Sequence, residues 1–352
     1  MKAMVIVKAA GGGTLAWRDV PDPTPGPGEI LLKVESNTVC GTDLRIMRGE
    51  KTKGVRLGVV LGHEASGTIT ELGEGVEGYE VGTLCGVSPI FACGVCRYCQ
   101  AGLQNLCEQA EVVGYDVNGG LGEWMVIPAT GVRAGRLVPA PAGLPPEQLS
   151  LAEPLACCLN GLDQYRVEVG DVVVILGAGP IGLFHLQLAV IGGARTVIVS
   201  DPSPSRRAVA AELGAHVTVD PTSEDLAAAV ADATDGLGAH VAVVCIGRPQ
   251  LVNDALNLVG KRGRVSIFAG LADKGWAEIE ANLIHYKEIS LIGAANSGRE
   301  DYERAVALIS SGRIDAARMV THRFPLDQAA EAIDSVAGGE GIKVAVLPHM
   351  AS

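Results

Sequence analysis

Aromatic side chains are scarce in this chain: four Phe, six Tyr and three Trp amount to 4% of the residues. So little ring surface argues against a broad apolar ligand pocket and leans toward a hydroxylated small molecule. Basic residues are outnumbered as well, 28 Lys and Arg against 40 Asp and Glu, for a formal net charge of -12. That balance offers no general attraction for phosphate backbones or anionic lipid, so neither nucleic acid nor a membrane surface is an expected partner. The chain is nevertheless not polar overall. With 48% hydrophobic and 19% charged residues the disordered class is excluded, and 352 residues are more than one compact domain usually holds.

Long apolar runs are nearly absent. The run after Lys2 is interrupted at Lys8 and followed by glycines, too short for the core of a secretion signal. The stretch from Val172 to Ala194 is uncharged and long enough to imitate a membrane span. Gly177, Gly179, Pro180, Gly182, His185 and Gln187 inside it suit a buried strand, a tight turn and a packed helix better. Nine cysteines is an odd count, and four of them share one short loop. This reads as metal binding in a reducing, cytoplasmic setting rather than as a disulfide framework.

Two textures divide the sequence. The first 150 or so residues are broken by Gly and Pro and carry short alternating runs, Ile30 to Val34 and Glu123 to Pro128, as expected of a mostly β domain. A proline-rich segment, Pro139 to Pro146, suits a connection between domains. From Asp171 the pattern becomes strand, turn, helix, with buried strands predicted at Val172 to Leu176, Thr196 to Ser200, His216 to Val219, His240 to Cys245, Arg264 to Phe268 and Ile289 to Ile292. Such Val- and Ile-rich runs predict a doubly wound parallel sheet of the α/β class. Beyond Gly293 follow a helix-like stretch, Tyr302 to Ile309, and a last strand, Lys343 to Leu347, that returns to the first domain.

Gly177-Ala178-Gly179-Pro180-Ile181-Gly182 follows the first of these strands and opens a helix, the context that gives the glycine spacing its meaning. Gly177 permits the sharp turn, Gly179 lets the backbone approach a pyrophosphate, and Gly182 lets helix and strand pack closely. Pro180 fits the first helical turn, whose free N–H groups favour phosphate. Asp201 ends the next strand, where an acid bonds the adenosine ribose and repels a 2'-phosphate, which favours NAD over NADP. Arg206 and Arg207 follow closely and are able to accept a phosphate.

Cys93, Cys96, Cys99 and Cys107 lie in one loop, about residues 90–110, beside Gly94 and Gly102. Four thiolates close a tetrahedral shell around zinc and leave no position for substrate, so this is a structural site. A second site is assembled from scattered residues: Cys40, His63 and Glu64, and Glu153. Together they offer the thiolate, imidazole and carboxylates of a catalytic zinc with room for an exchangeable ligand.

On these residues, Cys40-Gly41-Thr42-Asp43, Gly62-His63-Glu64, the cysteine loop, Gly119-Gly120, Glu153-Pro154-Leu155-Ala156 and Gly177 to Gly182 with Asp201 and Arg206, the chain resembles the zinc-containing medium-chain dehydrogenases, especially the sorbitol and threonine dehydrogenase branch. The resemblance implies a GroES-like catalytic domain over 1–154, completed by 293–352, a Rossmann NAD-binding domain over 155–292, and a homodimer or homotetramer. It implies two zinc ions per chain and hydride transfer from an alcohol to NAD in a cleft between the domains. Cys40, His63 and Glu64 would be the catalytic zinc ligands, with Glu153 either a fourth, exchangeable ligand or a contact to bound water or substrate. Ala269, Gly270, Leu271, Ala295 and Asn296 fall where the family lines the nicotinamide pocket.

In the implied chemistry zinc makes the alcohol proton easier to lose, and Thr42 accepts it while bonded to cofactor ribose. Where many relatives carry a relay histidine this chain has Arg45, which does not deprotonate. Protons then leave through Thr42, the ribose and water, or Arg45 recognises an anionic group on substrate or cofactor, or Arg45 is a solvated surface residue. The expected substrate is a polyol, sugar alcohol, cyclitol or aminocyclitol, with threonine, a diol or a simple secondary alcohol as alternatives. A non-catalytic NAD-binding redox sensor is the competing class, and it has no use for Cys40, Thr42, His63 and Glu64.

Overall fold

Runs of Val and Ile without polar alternation need cover on both faces, and a parallel sheet flanked by helices supplies it. The strand Val172–Leu176 is buried at every position and pairs in parallel with Thr196–Ser200 on one side and Ala239–Val244 on the other. Val217–Val219, Val259–Ile267 and Ser290–Gly293 complete a six-stranded sheet that, numbered along the chain, runs three, two, one, four, five, six. The order reverses at Val172–Leu176, and open α/β sheets bind ligands at the carboxyl ends of the strands beside such a reversal.

The computed structural model describes residues 1–9, 12–51, 54–271, 275–339 and 341–351. They form two units, Met1–Ala156 with Ser297–Ser352, and Cys157–Asn296, which carries the parallel sheet. The first unit is built on a seven-stranded sheet of Ile30–Thr38, Glu64–Leu72, Leu84–Val87, Trp124–Ile127, Leu137–Pro139, Val320–Pro325 and Lys343–Leu347. Its core is aliphatic, including Ile30, Leu32, Val34, Ile69 and Ile127 on one side and Ile6, Leu61, Leu121, Ile333 and Val346 on another. The last strand, Lys343–Leu347, lies antiparallel to Ile30–Thr38, with Ala345 opposite Thr38.

Several sequence expectations are corrected in detail. The proline-rich segment is no linker: Leu137–Pro139 pairs with Leu84–Val87 and Pro146–Leu149 is a short helix, all in the first unit. The chain changes unit inside the helix Ala152–Tyr165 instead. The strand expected from Arg264 begins at Val259, because Val259 already pairs with Ala239 before a register shift; the exposed Lys261 and Arg262 disguise it. The helix expected from Tyr302 starts at Arg299, where Asp301 accepts the Gly298 N–H at 2.8 Å. The uncharged stretch resolves into Val172–Leu176 and the helix Pro180–Ile191. Among the described residues no helix is long and apolar enough to cross a membrane.

That helix buries His185 completely, with Nδ1 2.8 Å from the Tyr165 hydroxyl and the ring edge-on to Phe268. Burial pushes its pKa down to about 3. Below the ordinary value of 6.5 the unfolded chain therefore takes up a proton that the folded one refuses. Its contribution is fully present above that value and is lost as pH falls toward the folded pKa, by at most about 1.4 kcal/mol per pH unit. Urea unfolding across this window should show a shallower pH slope for His185→Gln than for the wild type; equal slopes would contradict the assignment.

Candidate functional site

The cysteine loop is local. Cys96 Sγ lies 3.5 Å from Cys99 Sγ and 3.9 Å from Cys107 Sγ, and Cys93 Sγ is 3.9 Å from Cys99 Sγ. A tetrahedron with zinc–sulfur bonds of about 2.3 Å has edges of about 3.8 Å, so the four sulfurs stand where zinc needs them and too far apart for disulfides. Backbone N–H groups of Cys93, Cys96 and Gln109 are directed at Cys107, Cys93 and Cys107 sulfurs respectively. Such donors favour thiolate, and a separate one, the Cys99 N–H directed at Cys96, is foremost in holding the Cys96 thiol down at about 6. The donor set fits a structural zinc site.

The second centre draws on distant segments. The ligand atoms of Cys40, His63 and Glu64 all lie within 4.8 Å of one another, with His63 and Glu64 buried. Cys40 caps the short helix Gly41–Met47, whose third residue, Asp43, accepts the Cys40 N–H at 2.9 Å. The other oxygen of the same wholly buried carboxylate lies 3.4 Å from His63 Nδ1, which leaves Nε2 for a metal. Gly62 turns the chain into His63 at φ 102°, where a side chain would meet Asn37 and Leu121. Asp43 thus orients two ligands at once. Its signal in the sequence is the acid three residues after a helix cap.

Lys343 is the residue that sequence reasoning misses. Its Nζ lies 2.7 Å from Oε1 and 2.6 Å from Oε2 of Glu64, both side chains being buried, while Thr38 donates its hydroxyl to Oε2. Burial alone would lower the lysine pKa, but Glu64, Cys40 and Glu153 outweigh it and raise the value, so the ammonium persists. His63 follows the same logic. Burial works against its protonated form, yet Tyr115, Asp43 and Cys40 prevail and raise its pKa well above the ordinary value. A cation binding there must displace that proton.

Glu153, in the first turn of Ala152–Tyr165, is not one of the three residues whose ligand atoms converge. Its charge acts on Tyr115, Tyr302 and Lys343, which places it at the edge of the same region. Thr42 occupies the first turn of its helix, partly exposed. Tyr115 tilts against the His63 ring with centroids 5.2 Å apart. Burial raises the pKa of its hydroxyl, which stays protonated.

In the other unit, Gly177 takes φ 109°, and a Cβ there would strike Ile246. A Cβ on Gly182 would fall 1.8 Å from the Gly177 carbonyl oxygen, whereas one on Gly179 would meet nothing. The turn is therefore packed on its inner side and open at Gly179, where Pro180 and Ile181 begin the helix. Asp201 is buried and accepts the Ala178 N–H and the Ser203 N–H, each at 2.8 Å, tying the end of its strand to the glycine turn. Arg207 is engaged with Asp220 at 3.1 Å and with the Asp201 carbonyl. Arg206 has its Nε buried without a partner among the described residues. The Ala269 N–H bonds Val244 O, which sets Ala269, Gly270 and Leu271 just past the end of Val259–Ile267. Asn160 holds the carbonyls of Ala295 and Asn296.

Removing the ammonium from the Lys343–Glu64 pair strands a buried carboxylate. Lys343→Ala should cost about 3–5 kcal/mol of unfolding free energy, and the double variant with Glu64→Gln should cost less than the two single changes added. Strict additivity in urea titrations would show that the two groups do not interact.

Comparison with known proteins agrees with this geometry. A family described as alcohol dehydrogenase GroES-like domain matches residues 26–140, and one described as zinc-binding dehydrogenase matches residues 180–311. An L-threonine 3-dehydrogenase of Pyrococcus abyssi is 34% identical over 99% of this chain and 98% of its own length. A sorbitol dehydrogenase of Halalkalibacterium halodurans is 34% identical over 99% of each. Among solved structures, a Sinorhizobium meliloti protein bound to NADP matches with a TM-score of 0.89 at 34% identity, over 99% of both chains. The cysteine tetrad and the Cys40-His63-Glu64 cluster both fall within the first match, and with full-length relatives of this identity the chain belongs to the zinc-containing medium-chain alcohol dehydrogenases, in the branch of the sorbitol and threonine enzymes.

Proposed function

We propose that this zinc-dependent alcohol dehydrogenase oxidises the secondary hydroxyl of a polyol or related polyhydroxylated compound with NAD, in the cytoplasm and as a homodimer or homotetramer. The observation that carries the reading is the convergence of Cys40, His63 and Glu64, a thiolate, an imidazole and a carboxylate with open coordination. Zinc held there would act as a Lewis acid on the substrate hydroxyl, easing loss of its proton and of hydride from the carbinol carbon. Asp43 keeps the imidazole oriented, and Lys343 limits the negative charge that Glu64 brings. Thr42 Oγ1 takes the hydroxyl proton in a hydrogen bond and passes its own to solvent, because Arg45 stays protonated. Glu153, whose charge acts on Tyr115, Tyr302 and Lys343, offers a carboxylate at the edge of the same region for a further substrate hydroxyl or bound water.

The preference for NAD rests on Asp201. Its carboxylate ends the second strand of the parallel sheet and repels a 2'-phosphate, and Arg207 is already committed to Asp220. Arg206, with its unpartnered Nε, favours the second reading, NADP. Nine free cysteines among the described residues suit a reducing compartment. For assembly, the strand Ser290–Gly293 ends its sheet with one open side, and Trp276 and Tyr286 expose large rings in the same unit.

Metal analysis should find about two zinc ions per chain, and Cys93→Ser about one, with a lower Tm. A screen of polyols, cyclitols, diols and L-threonine with NAD and NADP should give reduced NAD with a polyol. Turnover with threonine alone would move the assignment to the threonine enzymes. Use of NADP alone would overturn the role given to Asp201.

A further inference from the structure

One group of side chains beside the metal centre has no part in the chemistry assigned above. Tyr115 leans on the His63 ring, and the Lys51 ammonium lies over the Tyr115 ring, 5.3 Å from its centroid. Lys51 is half-buried, and its pKa is lowered by that burial and by the nearby Arg45 guanidinium. Neither cation has an ion-pair partner among the described residues, whereas Arg207, Arg264 and Arg323 do. A solvated surface lysine would turn away from a neighbouring cation into water. Here the ammonium sits against an aromatic face, which repays only part of its lost hydration.

We propose that Arg45, Lys51 and Tyr115 form a distal subsite that takes the anionic end of the substrate, a phosphate ester or a carboxylate, while the carbinol reacts at the Cys40-His63-Glu64 centre. This rests on the alcohol dehydrogenase reading and narrows its substrate class to anionic polyols. The Tyr115 ring is in reach of both groups, its centroid 5.2 Å from that of the imidazole and 5.3 Å from the ammonium. Cations linked to the Cys40-His63-Glu64 centre through an aromatic ring suit a substrate of several carbons with its charge at the end away from the reacting carbinol. Along that chain the Tyr115 hydroxyl donates to an intervening hydroxyl. Arg45, unable to relay a proton, is suited to this task because its fixed fork matches phosphate and carboxylate.

The test uses the zinc-loaded enzyme with its nucleotide and compares a hexitol, its terminal phosphate ester, the matching aldonate and L-threonine. The ratio of kcat/KM for the best anionic substrate to that for the neutral hexitol should be about ten or more. Lys51→Gln and Arg45→Gln should each lower that ratio about tenfold through KM rather than kcat, and Lys51→Arg should restore most of it. A higher value for the ester than for the aldonate identifies phosphate as the recognised group, and the reverse identifies carboxylate. Equal use of neutral and anionic substrates, preference for L-threonine, a zwitterion whose carboxylate lies close to its carbinol, or a ratio that neither substitution moves would overturn the subsite. If no alcohol is oxidised, the dehydrogenase reading itself fails. Calorimetry of the ester on zinc-loaded protein then still decides the subsite: binding weakened about tenfold by Lys51→Gln upholds it, and equal binding refutes it.

Discussion

Cys40, Asp43 and Glu64 bring ionisable acids into one small buried region, and buried negative charge is tolerated only with a counter-charge close by. Lys343 supplies one positive charge, and the raised pKa of His63 shows that the remainder attracts another. A divalent cation bound by thiolate, imidazole and carboxylate answers the same demand without a proton. The proposed catalytic centre is thus also a place where the first unit concentrates buried charge, and the contacts around it answer to that. Asp43 can serve both Cys40 and His63 only because one short helix turn and one left-handed glycine bring their backbones together.

The parallel sheet meets a different constraint. Its strands are buried on both faces, so side chains give no direction along them, and the binding geometry is made at their ends. There the chain is held by backbone contacts: Gly182 against the Gly177 carbonyl, and the Asp201 carboxylate against the Ala178 N–H. The acid expected to read the ribose is therefore also a brace for the turn that receives the pyrophosphate. On the proposed reading one residue serves both recognition and rigidity, and a single substitution would disturb both roles.

Much of this is legible in the amino-acid sequence where the information is local. Four cysteines within one loop, or three glycines between a strand and a helix, carry their geometry in their spacing. The proposed catalytic centre is less legible, because Cys40 lies in a different segment from the adjacent pair His63-Glu64 and only resemblance joins them. Asp43 is half-visible as a capping acid, but its contact with His63 depends on how two strands and a helix meet. Lys343 is silent: a lone lysine at the start of a strand looks like a solvated end residue until its partner, 279 positions away, is known. Lys51 and Tyr115 are silent for the same reason. The proline-rich stretch misleads in the opposite direction, since prolines at a sheet edge and a helix start resemble a linker when read alone.

The distance along the chain between Glu64 and Lys343 also orders events in time. Everything needed for the cysteine loop emerges from the ribosome within fifteen residues, and the glycine turn 75 residues after it, counting from Cys107 to Gly182. Glu64, by contrast, waits for its ammonium until the whole parallel sheet has been synthesised and Lys343–Leu347 has docked against Ile30–Thr38. Until then the first unit carries a carboxylate that is costly to bury, and its native packing is incomplete. Completion of the reactive centre is consequently a late step, reached only when the strand that carries Lys343 has docked.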